Sequence, residues 1–326
     1  MNSDYKKEIR SFDERIVDLN MMIGISSSSY TDISITECMK RIKNAGYDSV
    51  DFNLYDFCQA NGPMLSSAWK EWIKKVRLAT KEAGLIVGQI HALFGLFAAT
   101  DLAYEPPGEI IHRNIEACAI LECKELVFHP VFYRSIVDTM KIRERLFDYN
   151  TRWFKELLIP AKRYGIHIDL ENTFDRRSQP YHPPFSTASD LLELTEAIDD
   201  KSVGICLDTG HANIMSLDIM DMIRSFGNKL RVLHLNDNLG SIEPCAGQSV
   251  LSDQHFFPGT GIIDFLQVFT TLKEIGFKGI LNLEPGDFLL RLPISVRNAY
   301  IAAGPSIIRS FAKEAGMNFE ETSIRS

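Results

Sequence analysis

Imidazoles and carboxylates cluster at corresponding places along this chain. Five of its eight histidines, His91, His129, His211, His234 and His255, stand at or shortly after the carboxyl ends of short apolar runs rich in β-branched residues. Glu171, Asp208, Asp253 and Glu284 occupy the same edges. Histidine and carboxylate together, without thiolate, form a ligand set suited to Mn²⁺, Zn²⁺, Co²⁺ or Mg²⁺. In Cys206-Leu207-Asp208-Thr209-Gly210-His211 the Asp leaves a strand and the His follows across a Gly turn, so both can face one opening. In Asp253-Gln254-His255 an extended backbone would point both ligands the same way. His112, His167 and His182 fall in a helix, at a strand start and in a loop, and read as structural or solvated.

These edges belong to a regular series of elements. The candidate strands are Met22–Ser26, Ser49–Asn53, Ile86–His91, Glu125–His129, His167–Glu171, Val203–Asp208, Leu230–Leu235 and Gly279–Glu284. Each is followed by a stretch of helical period, among them Ile35–Asn44, Ser67–Ala83, Arg145–Tyr164 and Pro293–Ala315. Gly46, Gly84, Gly165 and Gly276 sit just past helical patterns, where a left-handed residue ends a helix. Eight such βα units predict an α/β fold, a single (β/α)₈ TIM barrel. Long connections at His91–Pro107, Pro130–Asp138, Asn172–Thr187 and Asn236–Thr260 all follow strands, so they gather on the carboxyl-end face where barrel active sites are built. The expected layout is a polar extension over 1–20, the barrel over 21–316 and a tail over 317–326. An open doubly wound sheet is the structural alternative, but no G-x-G-x-x-G follows the first strand, so no nucleotide cofactor is expected.

The totals narrow the partners. A formal charge of −8 over 326 residues argues against a broad footprint on nucleic acid or anionic membrane. No apolar run approaches the roughly 20 residues of a membrane span, and the first residues lack the apolar centre of a signal peptide, which predicts a cytoplasmic protein. The six cysteines show no C-x-x-C spacing and read as reduced thiols.

The sequence resembles the xylose-isomerase-like barrels, which include sugar-phosphate isomerases and epimerases and an endonuclease IV branch. The resemblance covers roughly residues 20–315 and lies in QIHALF (89–94), VFHP (127–130), DLEN (169–172), GICLDTGHAN (204–213), LHLNDN (233–238), DQHFFPGTGIID (253–264) and NLEP (282–285). In the epimerase branch one divalent metal, Mn²⁺ by first expectation, is held by residues matching Glu171, Asp208, His234 and Glu284, and the two glutamates resemble the catalytic pair. In the endonuclease branch further zinc ions use residues matching His91, His129, His211, Asp253 and His255, so these are expected to bind substrate or a second metal. The resemblance implies a small sugar or sugar derivative as partner, with nucleic acid disfavoured. Homo-oligomers are common among such barrels.

Such a metal would chelate neighbouring carbonyl and hydroxyl oxygens of a ketose and ease loss of the adjacent carbon-bound proton. Glu171 and Glu284, from strands five and eight, would address opposite faces of the sugar as base and acid. Three alternatives stay open: a lyase or C-deglycosidase on a 3-oxo-sugar, a phosphodiesterase at abasic DNA, and a non-catalytic sugar-binding subunit. Where some epimerases carry a substrate-holding Arg, this chain has Gly240, and the nearest basic candidates are Arg176 and Arg177. Tyr55, Phe57, Phe94, Phe97, Phe256 and Phe257 could wall a sugar site.

Overall fold

The computed structural model describes residues 21–93, 108–132, 140–174, 182–240 and 253–317. Its strands are β1 (Ile23–Ser26), β2 (Ser49–Asn53), β3 (Ile86–His91), β4 (Glu125–Phe128), β5 (His167–Glu171), β6 (Val203–Asp208), β7 (Leu230–His234) and β8 (Leu281–Leu283). They form one parallel eight-stranded sheet in the order β7-β6-β5-β4-β3-β2-β1-β8. A parallel bridge between Leu235 and Leu283 joins the two ends, so the sheet closes into the TIM barrel that the sequence predicts. His129 and Glu284 each fall one residue beyond their strands, because the ladder pairing stops there.

The outer ring consists of α1 (Ile35–Asn44), α2 (Trp69–Glu82), α3 (Gly108–Ile120), α4 (Met140–Arg163), α5 (Ala188–Ile198), α7 (Ile219–Phe226), α8 (Phe265–Glu274) and α9 (Ile294–Glu314). α4 begins at Met140 rather than at the expected Arg145. A short extra helix, α6 (Thr209–Ile214), follows β6 directly. It corrects the expectation of a simple Gly turn there: Asp208 Oδ1 accepts from the His211 backbone N–H at 2.7 Å, and that N-cap turns the Asp-Thr-Gly-His segment into a helical start. The anticipated stops hold, since Gly46, Gly84, Gly165 and Gly276 all have positive φ.

Strand alternation divides the side chains. Ile25, Val50, Phe52, Ile90, Leu126, Ile168, Leu170, Ile205, Leu207, Leu233, Leu281 and Leu283 are buried in the main core shared with the helices. Val127, Cys206 and Val232 form a separate small cluster, on the strand face that two residues later carries His129, Asp208 and His234. Cys38, Cys58, Cys118, Cys123 and Cys206 are free and buried, while Cys245 lies outside the described residues, as do 1–20 and 318–326. Among the described residues no helix is long and apolar enough to cross a membrane.

One buried carboxylate organises the loop after β7. Asp237 Oδ1 accepts from the N–H groups of Asn238 (2.9 Å) and Ile263 (3.1 Å), and Oδ2 from those of Gly259 (3.0 Å) and Gly261 (2.8 Å). A Cβ on Gly261 would come within 2.3 Å of Asp237 Oδ1, so only glycine permits this approach. An antiparallel bridge from Asp237 to Phe256 then fixes the stretch that carries Asp253 and His255. Asp237→Ala leaves four backbone donors without their acceptor and should destabilise the fold on the order of 3 kcal/mol in urea unfolding. An unchanged midpoint would contradict this assignment.

Candidate active site at the barrel mouth

All nine of the candidate residues lie on the carboxyl-end face, and they fall into overlapping groups. One ligand atom from each of Glu171, Asp208, His234 and Glu284 lies within 4.8 Å of the other three. The triads His91–His129–Glu171, His91–His234–Glu284 and Asp208–His211–His255 meet the same condition. Glu171 is the hub. Its Oε2 lies 3.0 Å from His129 Nε2 and 3.2 Å from His91 Nε2, and its Oε1 lies 3.1 Å from His234 Nδ1 and 3.5 Å from His211 Nδ1. Glu284 Oε2 stands 3.5 Å from both His234 Nδ1 and His255 Nδ1.

The supporting contacts explain how β6, β7 and the loops hold these groups. Asn172 brackets Asp208: its Oδ1 accepts from the Asp208 N–H at 2.8 Å, and its Nδ2 donates to the Asp208 carbonyl at 3.0 Å. Asn236 Nδ2 donates to Asp208 Oδ2 at 2.8 Å, and Gly210 leaves room for Asn236, whose Oδ1 would lie 1.8 Å from a Cβ there. His211 Nδ1 sits 3.0 Å from the Asn172 carbonyl, and its ring stacks on Phe174 at 4.3 Å. His255 takes a left-handed φ of 47°, which brings its Nε2 to 2.9 Å from Asp253 Oδ1. Asp253 and His255 thus meet through a bend, where the sequence reading expected extended backbone.

The environments of the two glutamates differ. Burial works against charge on Glu171, yet His129 and His234 hold its carboxyl well below the usual range. Burial pushes Glu284 up to about 7; Asp208 and Glu171 add to this, and His234 and His255 oppose it. Two carboxyls with pKa values driven apart in one cleft match the pattern of a base and an acid.

The residues also fit a cation. Glu171 Oε2, Glu284 Oε2 and His234 Nε2 are buried without an aligned hydrogen bond, although they sit among charged neighbours. Three carboxylates and one imidazole form a hard, mixed oxygen and nitrogen donor set of the kind that holds Mn²⁺, Co²⁺, Zn²⁺ or Mg²⁺.

Several features escaped the sequence reading. Phe57 stacks on Phe52 at 5.4 Å and leans on Trp72 at 4.8 Å, and the buried Phe257 faces Tyr300, so both take part in packing. Phe256 pairs with Phe288, while Phe94, Phe97, Arg176 and Arg177 lie outside the described residues. The aromatic at the mouth is Phe174, which DLENTF places three residues after Glu171. Gly240 is buried, with φ 74° and its N–H on Asn238 Oδ1. Asp51, Gln89 and Asn282 are buried polar residues on β2, β3 and β8, and no ligand spacing in the sequence marks them.

Among curated relatives, an uncharacterized protein of Methanocaldococcus jannaschii is 26% identical over 268 residues, covering 82% of this chain and 84% of the relative. The inosose isomerase of Bacillus velezensis is 25% identical, covering 62% and 68%. The ketose 3-epimerase of Arthrobacter globiformis is 24% identical, covering 76% and 75%. A crystal structure of a D-tagatose 3-epimerase-like protein superposes with a TM-score of 0.68 at 22% identity, covering 91% of this chain and 98% of that one. The 3-keto-D-glucoside 4-epimerase of E. coli gives 0.64 at 20% identity, covering 88% and 99%. At these identities the structural likeness speaks to fold alone. The family described as xylose isomerase-like TIM barrel matches residues 39–303, from within α1 to within α9. The match encloses every strand from β2 to β8 and all nine residues at the mouth, and the chain belongs to that family.

Proposed function

We propose that the protein is a divalent-metal-dependent sugar isomerase or epimerase, which moves a proton on the carbon beside the carbonyl of a ketose or keto-sugar derivative. The observation that carries this reading is the convergence of Glu171, Asp208, His234 and Glu284 to within 4.8 Å at the mouth of the barrel. Relatives named inosose isomerase and ketose 3-epimerase support isomerase-class chemistry on a small sugar.

Glu171, Asp208, His234 and Glu284 would hold the cation, with Mn²⁺ the first choice and Zn²⁺, Co²⁺ or Mg²⁺ compatible with the same donors. When bound, it supplies Lewis acidity to the carbonyl and the neighbouring hydroxyl of the sugar. Glu171, kept ionised by the imidazoles around it, acts as the base. It takes the proton from carbon, and the electron pair of the broken C–H bond passes into the carbonyl as an enediolate. Glu284 serves as the acid and delivers a proton to carbon. Delivery to the opposite face of the same carbon gives an epimer, and delivery to the former carbonyl carbon, with the neighbouring hydroxyl proton passing to the former carbonyl oxygen, gives an isomer. His211, backed by Phe174, orients a substrate hydroxyl. Elimination from a 3-oxo-glycoside would begin with the same proton abstraction.

The groups His91–His129–Glu171 and Asp208–His211–His255 favour a second reading, a multi-zinc phosphodiesterase acting at abasic DNA. Metal analysis separates the two. One Mn²⁺ or Co²⁺ per purified chain agrees with sugar chemistry, whereas several zinc ions and chelator-sensitive nicking of an abasic duplex would replace it with the nuclease.

Incubation with Mn²⁺ and a panel of ketoses and 3-oxo-glycosides in deuterated water should place deuterium on carbon, read by NMR. Glu171→Gln and Glu284→Gln should each slow incorporation by about 10²- to 10⁴-fold. Wild-type exchange in Glu284→Gln would remove that residue from the mechanism. Saturating Mn²⁺ should also raise the thermal midpoint, since a ligand at about 100 times its Kd adds about 2.7 kcal/mol of stability. An unmoved midpoint would count against a resident cation.

A further inference from the structure

The interior of a (β/α)₈ barrel is ordinarily filled by aliphatic layers. Beneath the mouth of this one lie Asp51, Gln89 and Asn282, each 2% exposed or less. Asp51 and Gln89 are paired neighbours in the ladder of β2 and β3, and Asn282 reaches Asp51 from β8, its Nδ2 donating to Asp51 Oδ2 at 3.3 Å. The cluster occupies space that other residues concede. A Cβ on Gly24 would lie 2.7 Å from Asn282 Oδ1 and 2.6 Å from Ser49 Oγ, so β1 carries glycine where Asn282 turns inward. Burying a carboxyl and two carboxamides costs stability unless each finds a partner, and Asp51 Oδ1, Gln89 Nε2 and Asn282 Oδ1 have none by hydrogen-bond geometry. Valine or isoleucine would fill these positions without that cost. A locally unfavourable choice of this kind is expected where function needs it.

The group this cluster faces is the far side of His234. The ring's Nδ1 looks toward Glu171 and Glu284, at 3.1 and 3.5 Å. Its Nε2 lies 3.7 Å from Asp51 Oδ2 and is buried without a hydrogen bond of regular geometry, although the Cys206 thiol lies beside the ring and interacts with it. We infer that Asp51, held by Asn282, is a positioning residue: it receives the Nε2–H of His234 and thereby aims the Nδ1 lone pair at the cation held by Glu171, Asp208 and Glu284. The inferred hydrogen bond requires the 3.7 Å separation to shorten to about 3.2 Å or less. A histidine that donates one ring nitrogen to a carboxylate is fixed in tautomer and orientation and becomes a more basic ligand through the other. Asp51 never touches substrate in this arrangement. The inference rests on the metal-dependent reading of the site.

Cys206 is the competing neighbour, because its sulfur also lies within 4.8 Å of His234 and Glu171. A thiol is a weak acceptor, so it should not replace the carboxylate. The test therefore uses Asp51→Leu, which removes the acceptor while filling the space, Asp51→Asn, which retains one acceptor oxygen, and Cys206→Ala as control. Binding of Mn²⁺ is followed by titration calorimetry. In protein labelled with ¹⁵N at the histidine rings and loaded with Zn²⁺, the Nε2–H of His234 is followed by NMR.

The expected result is a His234 Nε2–H in slow exchange with water in the wild type, lost in Asp51→Leu, with Mn²⁺ affinity about 10- to 100-fold weaker. Asp51→Asn should recover part of the affinity and Cys206→Ala should match the wild type, each measured at a temperature where the metal-free variant is fully folded. Wild-type affinity in Asp51→Leu, loss of affinity only in step with loss of stability, or a His234 Nε2–H unaffected by the substitution would each overturn the role of Asp51. If Asp51→Leu does not fold, an Asp51→Asn protein with neither weakened binding nor an altered Nε2–H signal overturns it as well. Failure of the underlying functional reading looks different: the wild type itself would bind no divalent cation and catalyse no deuterium exchange.

Discussion

Glu171 and Asp208, fully buried, share the mouth of this barrel with the half-buried Glu284, and three anions cannot crowd there without compensating positive charge. The rest of the structure can be understood as the answer to that constraint. His91, His129, His211 and His234 surround Glu171 at 3.0 to 3.5 Å, and His129 and His234 hold its carboxyl well below the usual range in spite of its burial. Glu284 receives less help and relieves the repulsion by holding its proton to about pH 7. A divalent cation held among Glu171, Asp208, His234 and Glu284, as proposed, would complete the neutralisation.

Precision at the mouth is provided by neutral groups. Asn172 and Asn236 grip Asp208 through both its backbone and its carboxylate, and α6 begins on the other oxygen of that carboxylate. Asp237 binds four backbone donors to hold the stretch that bears Asp253 and His255. Asparagine and a buried, saturated aspartate can order loops without adding a mobile charge beside the clustered carboxylates. The aromatic contact that the structure adds, Phe174 on His211, acts in the same way, since a stacked imidazole is held in its orientation.

Much of this was legible in the sequence, and the boundary is physical. The alternation of β-branched runs, helical periods and terminal glycines is a local signal, and it located the strands that carry the mouth to within a residue or two. His91, His129, Glu171, Asp208 and His234 stand at or next to strand ends, where a periodic pattern announces them. The short helix after Asp208 was hidden because Thr209-Gly210 reads as a turn until the capping bond is seen. Loop aromatics carry no periodicity that would sort wall from packing: Phe57 packs on Phe52 and Phe257 is buried, while Phe94 and Phe97 lie outside the described residues. Asp51 could not be found by spacing at all: its bonded partner Asn282 lies 231 positions away, and only closure of the barrel brings the two together with His234.

The account stands on one cation gripped by four side chains. Crystals grown with Mn²⁺ and measured for anomalous scattering test it most directly. A single strong peak bounded by Glu171, Asp208, His234 and Glu284 is the predicted result. A map without density among those four residues, or with the manganese bound elsewhere on the chain, would contradict it.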